Sequence, residues 1–143
     1  MLSVTSRHAL RALAHLAASD DAKVLLGKDL AKRAEIPANY LSKILWALGS
    51  AGIIDATRGS GGGYRLARRP EQIRLIDVVE LFDKVRTQDG CFLWENRACS
   101  ETHPCTAHEM WKDVGLAYIR FLESTTLADI SIHTQHTSVG EGI

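Results

Sequence analysis

Residues 25–54, LLGKDLAKRAEIPANYLSKILWALGSAGII, decide the fold. Apolar positions recur at helical spacing on both sides of a break at Ala34 and Glu35, which predicts a short helix through Leu30 and Ala31, a tight turn and a second helix. Pro37 stands where the second helix begins, a place where its missing N–H breaks no helical hydrogen bond. Ile36, Leu41, Ile44, Leu45 and Leu48 supply the inward face, and Gly49 or Gly52 can end the helix. This is a helix-turn-helix pattern. The outward residues of the second helix, Asn39, Tyr40, Ser42 and Lys43, are placed to enter a DNA major groove. Asn39 has the amide to read a base edge, and Lys43 suits a phosphate or a guanine.

Toward the C-terminus, Ile53–Arg58 and Tyr64–Ala67 predict two short strands joined by a glycine-dense loop over residues 59–63. A helix-turn-helix followed by a basic hairpin is a winged helix, with Arg58 and Gly59 placed to reach the minor groove or the backbone. Such a loop also suits a nucleotide phosphate, but no P-loop lysine follows it and no helix opens at its end. Upstream, Thr5–Ala18 places Leu10, Leu13, Ala14, Leu16 and Ala17 at helical spacing. Downstream, Ile73, Ile76, Val79, Leu81 and Phe82 predict another short helix. A long helix is expected from about Pro104 to Ser124, with an apolar stripe of Met110, Trp111, Val114, Ala117, Tyr118, Phe121 and Leu122. It is longer than closure of the winged module requires, so a dimer interface is its expected use.

The expected fold is therefore mainly α, a winged helix-turn-helix with a small β-hairpin wing and a long C-terminal dimerisation helix. Residues 1–83 form the DNA-binding module, 84–104 a cysteine-bearing loop, 105–131 the dimerisation helix with a short terminal helix, and 132–143 a disordered tail.

All three cysteines, Cys91, Cys99 and Cys105, fall within fifteen residues, beside Pro104 and His108. Three soft ligands in an irregular polar loop point to zinc or an iron–sulfur cluster. The expected compartment is cytoplasmic, since no apolar run is long enough to span a membrane and the N-terminus lacks a signal pattern. In a reducing compartment an odd cysteine count disfavours a disulfide framework. The net charge of zero hides an asymmetry: residues 1–74 carry twelve Lys and Arg against six Asp and Glu, and residues 75–143 five against eleven. A basic first half suits a phosphate backbone. No nucleophile and base stand in an arrangement that suggests an enzyme.

The succession SRHALRALAHLA, EIPANYLSKIL, ATRGSGGGYRLA, IDVVELF, three cysteines and FLESTTLADI resembles the Rrf2 family of bacterial winged-helix regulators over about residues 2–131. The wing RGSGGGYRLA and the cysteine loop leading to the long helix are the most specific matches. The resemblance implies a homodimer on double-stranded operator DNA, carrying a 2Fe-2S cluster or alternatively a 4Fe-4S cluster, whose state controls binding in response to redox conditions, iron or nitric oxide. It implies Cys91, Cys99 and Cys105 as cluster ligands, and Asn39, Tyr40, Ser42, Lys43, Arg58 and Gly59 as DNA-reading positions. Members differ at the fourth ligand. The cluster-assembly regulator has a histidine three residues after its last cysteine, where this chain has His108; the nitric-oxide sensor takes a carboxylate from the partner, at a position matched here by Arg7, which cannot ligate. The gap between Cys91 and Cys99 resembles that of the family's iron regulator.

Helix geometry also favours His108. If the long helix starts at Pro104, Cys105 and His108 project from one face of its first turn, and its dipole stabilises the Cys105 thiolate. His103, and His8 from a partner's first helix, are competing ligands. A zinc site, or a thiol switch through Cys91 and Cys99, remains open as an alternative to the cluster.

Overall fold

The first helix, α1 (Val4–Ala18), opens on Ser3, whose hydroxyl accepts the Ser6 amide at 3.1 Å and so satisfies one of the free amides of the first turn. The computed structural model describes residues 2–19, 24–86, 91–94 and 99–131. Ala9, Leu10, Ala12, Leu13 and Leu16 turn the buried side of α1 toward the core.

Helix α2 (Gly27–Ala34) follows, and Glu35 turns the chain in the left-handed region at φ 55°. Helix α3 (Ala38–Ser50) then begins one residue after Pro37, which caps it and does not enter it. Leu30, Ile36, Leu41, Ile44, Leu45 and Leu48 are all buried, as the helix-turn-helix pattern requires. Gly49 lies inside α3, and Gly52, at φ 73°, is the glycine that follows its end.

The wing is an antiparallel pair, β1 (Ile54–Thr57) and β2 (Gly63–Leu66), in register from Ile54 opposite Leu66 to Thr57 opposite Gly63. Its tip demands glycine on steric grounds. A Cβ on Gly62 would lie 2.2 Å from the Thr57 carbonyl oxygen. Leu25 adds a bridge to the hairpin: its amide donates to the Tyr64 carbonyl at 2.9 Å and its carbonyl accepts from the Tyr64 amide at 2.8 Å. The wing is thereby fastened to the chain entering α2.

The short helix α4 (Leu75–Val79) buries Leu75, Ile76, Val78 and Val79, with Ile73 buried just before it. It ends before Leu81, which is exposed and not part of the inward face expected of it. Asp83 accepts hydrogen bonds from the Ser3 amide at 3.1 Å and the Ser6 hydroxyl at 2.7 Å, fastening the end of this segment to α1.

The last helix, α5 (His108–Ser124), starts four residues later than expected. Backbone groups before it are engaged elsewhere: the Cys105 amide donates to Cys99 Sγ at 3.3 Å and the His103 amide to the Ser100 carbonyl at 3.2 Å. Pro104 therefore belongs to the loop. The far end of α5 joins the main core, where Leu122 and, beyond the helix, Leu127 are fully buried. The Leu75 amide donates to the Thr125 carbonyl, and the Leu127 amide to the Ile73 carbonyl, both at 2.9 Å. Residues 126–130 form a turn with a β-bridge from Thr126 to Arg74, in place of the expected short terminal helix. Arg86 adds ion pairs to Glu80 and to Glu123 of α5, at 3.7 and 3.1 Å. The expected tail, 132–143, lies outside the described residues.

Candidate metal centre and nucleic-acid interface

Among the described residues the three cysteines gather their sulfur atoms beside the start of α5. Cys91, Cys99 and Cys105 are free thiols, partly buried, and their Sγ atoms all lie within 4.8 Å of one another. Cys99 is the hub: its sulfur accepts the Cys105 amide and lies 3.1 Å from His108 Nδ1. His108 occupies the first position of α5, and its amide donates to the Cys105 carbonyl at 3.1 Å. The two residues are thus brought together by a turn, since Cys105 precedes the helix.

That placement reverses the expected electrostatics. Burial raises the Cys105 thiol, and the thiols of Cys91 and Cys99 add to the rise against one amide donor, Ala107. Burial also acts to raise Cys91, but the amides of Leu93 and Trp94 and the two neighbouring thiols outweigh it and hold Cys91 below the usual cysteine range. Cys91 is the more thiolate-prone of these two.

The other ring nitrogen of His108, Nε2, is buried without a hydrogen-bond partner and stands 3.5 Å from Glu101 Oε1. Glu101 is in turn paired with Lys112, and chiefly the bond from Lys112, with the nearby His108 ring adding to it, holds its carboxyl below the usual range. The other proposed histidines are engaged elsewhere. His103 is exposed and bonds Thr102 at 3.2 Å, while His8 on α1 lies 3.0 Å from Arg11 Nη2. Three converging thiols with His108 Nδ1 beside the Cys99 sulfur form a donor set that fits an iron–sulfur cluster. The same atoms also fit a tetrahedral zinc ion.

Phe92, next to Cys91, packs on Trp111 of α5 with ring centroids 4.9 Å apart and planes tilted by 44°. Among the described residues the loop is therefore held to α5 at His108, at Trp111 and through the Glu101–Lys112 pair. Along the same helix Met110, Val114 and Phe121 are exposed, while Leu122 is buried and Tyr118 partly so. The stripe read from the sequence is thus divided, one part in the core and the rest facing outward.

On α3, Asn39, Tyr40, Ser42 and Lys43 are exposed, as is Arg58 at the wing. The Ser42 hydroxyl donates to the Ala38 carbonyl at 3.0 Å, which leaves its oxygen able to accept. Gly59 takes φ 95° at the start of the wing tip, a conformation that favours glycine over a side chain able to read DNA. Sequence reasoning passed over Trp46, which is 76% exposed on α3. The available signal was its spacing of three residues from Lys43 and seven from Asn39.

Among the described residues no helix is long and apolar enough to cross a membrane. The family model described as "Rrf2: Iron-dependent Transcriptional regulator" matches residues 2–132. The chain is 34% identical to the HTH-type transcriptional regulator NsrR of Geobacillus kaustophilus over 125 residues, covering 87% of this chain and 85% of that protein. Its fold is similar to CymR, described as the global cysteine regulator of B. subtilis, with a TM-score of 0.75, 24% identity and coverage of 92% and 95%. The structure of T. potens IscR superposes with a TM-score of 0.70, again at 24% identity, covering 91% of this chain and 85% of that one.

Proposed function

The chain belongs to the Rrf2 family of transcriptional regulators, and from that membership we propose that it is a homodimer whose operator binding is governed by an iron–sulfur cluster held by Cys91, Cys99, Cys105 and His108. The observation that carries this reading is the convergence of three free sulfurs beside a histidine at the start of α5. A bound cluster would supply a centre responsive to redox state, iron or nitric oxide, with one imidazole ligand leaving it less negative than four thiolates would.

The chain's own residues transmit the state of that centre. Gathering the sulfurs fixes the loop against α5 through His108 and the Phe92–Trp111 contact. About 21 Å of helix α5 separates His108 from the core contacts of Leu122. Its C-terminal end is bonded to α4, which packs on α1 of the DNA-binding module. Exposed Met110, Val114 and Phe121 give α5 an apolar face suited to the same helix of a second copy. Ligand loss then alters the spacing of the two α3 helices and, by linkage, operator affinity. At the DNA, Asn39, Tyr40, Ser42 and Lys43 would enter the major groove, and Arg58 with the backbone at Gly59 would meet the sugar-phosphate chain.

Visible absorbance with iron and sulfide analysis of anaerobically purified protein tests the assignment. A coloured protein with equivalent iron and sulfide supports it; a colourless one with one zinc per chain overturns it. The lowered thiol of Cys91 favours one second reading, a reversible Cys91–Cys99 disulfide acting as a cluster-free oxidant switch. That reading predicts DNA binding that responds to oxidants in the absence of iron.

A further inference from the structure

Among the described residues Trp46 is the most exposed of the large apolar side chains, at 76%. It sits in mid-helix on α3, where Leu41, Ile44, Leu45 and Leu48 define the buried side. At about 100° of rotation per residue, Trp46 falls opposite that side, on one stripe with Asn39, Lys43 and Ser50. Tyr40 lies on the other flank of Lys43, itself exposed. The helix therefore presents a polar strip edged by two aromatic rings.

Charge decides what meets this strip. Lys43 lies on it, Arg58 and Arg65 stand on the wing, and residues 1–74 carry twice as many cationic as acidic side chains. The complementary occupant is a polyanion with a groove wide enough for a helix, which is duplex DNA. A residue serving phosphates alone would be cationic or a small hydrogen-bonding side chain. An indole gains from an apolar surface, and the apolar feature on the edges of base pairs in the major groove is the thymine C5 methyl.

We propose that Trp46 reads sequence by packing its indole against a thymine methyl in the major groove, farther along the groove from the base edge met by Asn39. The proposal rests on the DNA-binding reading above. Seven residues separate Asn39 from Trp46, about 10 Å along the helix axis and about three base-pair steps along the duplex. Trp46 is thus a specificity residue whose contact adds no counterion release.

The test uses the full chain and duplexes that it enriches from a random pool, with affinities measured by fluorescence anisotropy across a salt series. Trp46→Ala is expected to weaken the enriched duplex about tenfold while leaving the slope of affinity against salt unchanged. Exchanging each thymine for deoxyuridine removes one methyl at a time. At one position this should weaken wild type several-fold and leave Trp46→Ala unaffected, the signature of a shared contact. Thermal melting of the variant checks its fold, and Trp46→Phe should restore part of the affinity. If Trp46→Ala binds the enriched duplex as wild type does, or if every thymine exchange acts equally on both proteins, the inference is overturned and the indole serves a protein partner or none. A wild-type chain that enriches no sequence overturns the DNA-binding reading and the inference with it.

Discussion

Cys99 is the residue on which the sulfur centre turns, because its Sγ receives the Cys105 amide and adjoins His108. Replacing His108 by Ala should lower bound iron or shift the visible spectrum, whereas His103→Ala should leave both unchanged, since His103 is exposed and bonded to Thr102. Iron analysis with absorption spectra decides between them. Away from the sulfurs, the buried Ser6 hydroxyl donates to Asp83, and the bonds from Ser3 and Ser6 outweigh burial and hold that carboxyl below the usual range. A carboxyl depressed by folding contributes stability above its unfolded value and loses it as pH falls through the folded one. Ser6→Ala should therefore cost about 1 kcal/mol at neutral pH, the partial exposure of Asp83 keeping it small. Denaturant melts should show that difference shrinking below about pH 4.

Two elements carry consequences beyond their local structure. In the wing, Gly62 is surrounded by backbone, with the Thr57 and Gly59 carbonyl oxygens 2.2 and 2.8 Å from where a Cβ would be. Backbone cannot yield as a side-chain tip can. Gly62→Ala should distort the hairpin at a cost of about 1–3 kcal/mol and weaken DNA binding, while circular dichroism still reports the helices. Helix α5 has the opposite character, its exposed Val114 and Phe121 being free to change without touching the core. A Val114→Glu, Phe121→Glu variant should keep its melting temperature at low concentration yet sediment as a monomer, with a matching loss of affinity for a two-fold symmetric operator. An unchanged dimer would show that copies associate through another face.

For the molecule as a whole, the proposed coupling links the sulfur loop to operator affinity. Cys99→Ala removes the hub of the loop without touching α3, so its operator affinity should differ from that of cluster-loaded wild type. Equal affinity and equal sequence preference, measured side by side, would sink the coupling. How much of this was legible beforehand depended on the range of the interactions involved. The helix-turn-helix and wing are encoded by local apolar spacing and by glycines that sterics require, so Leu41, Ile44, Leu48 and Gly62 were readable from neighbours in the chain. The gathering of the three cysteine sulfurs with His108 beside them was readable because these residues fall close together in the chain. Long-range contacts were not. The start of α5 moved from Pro104 to His108 because backbone amides bond to sulfur and to turn carbonyls, which helical periodicity does not register. The bridge from Leu25 to Tyr64, the bonds of Thr125 and Leu127 to residues 73–75, and the separation of the α5 stripe into buried and outward parts were likewise decided by packing. Spacing along a chain determines which face of an element is apolar, and only the assembled core determines how much of that face remains uncovered.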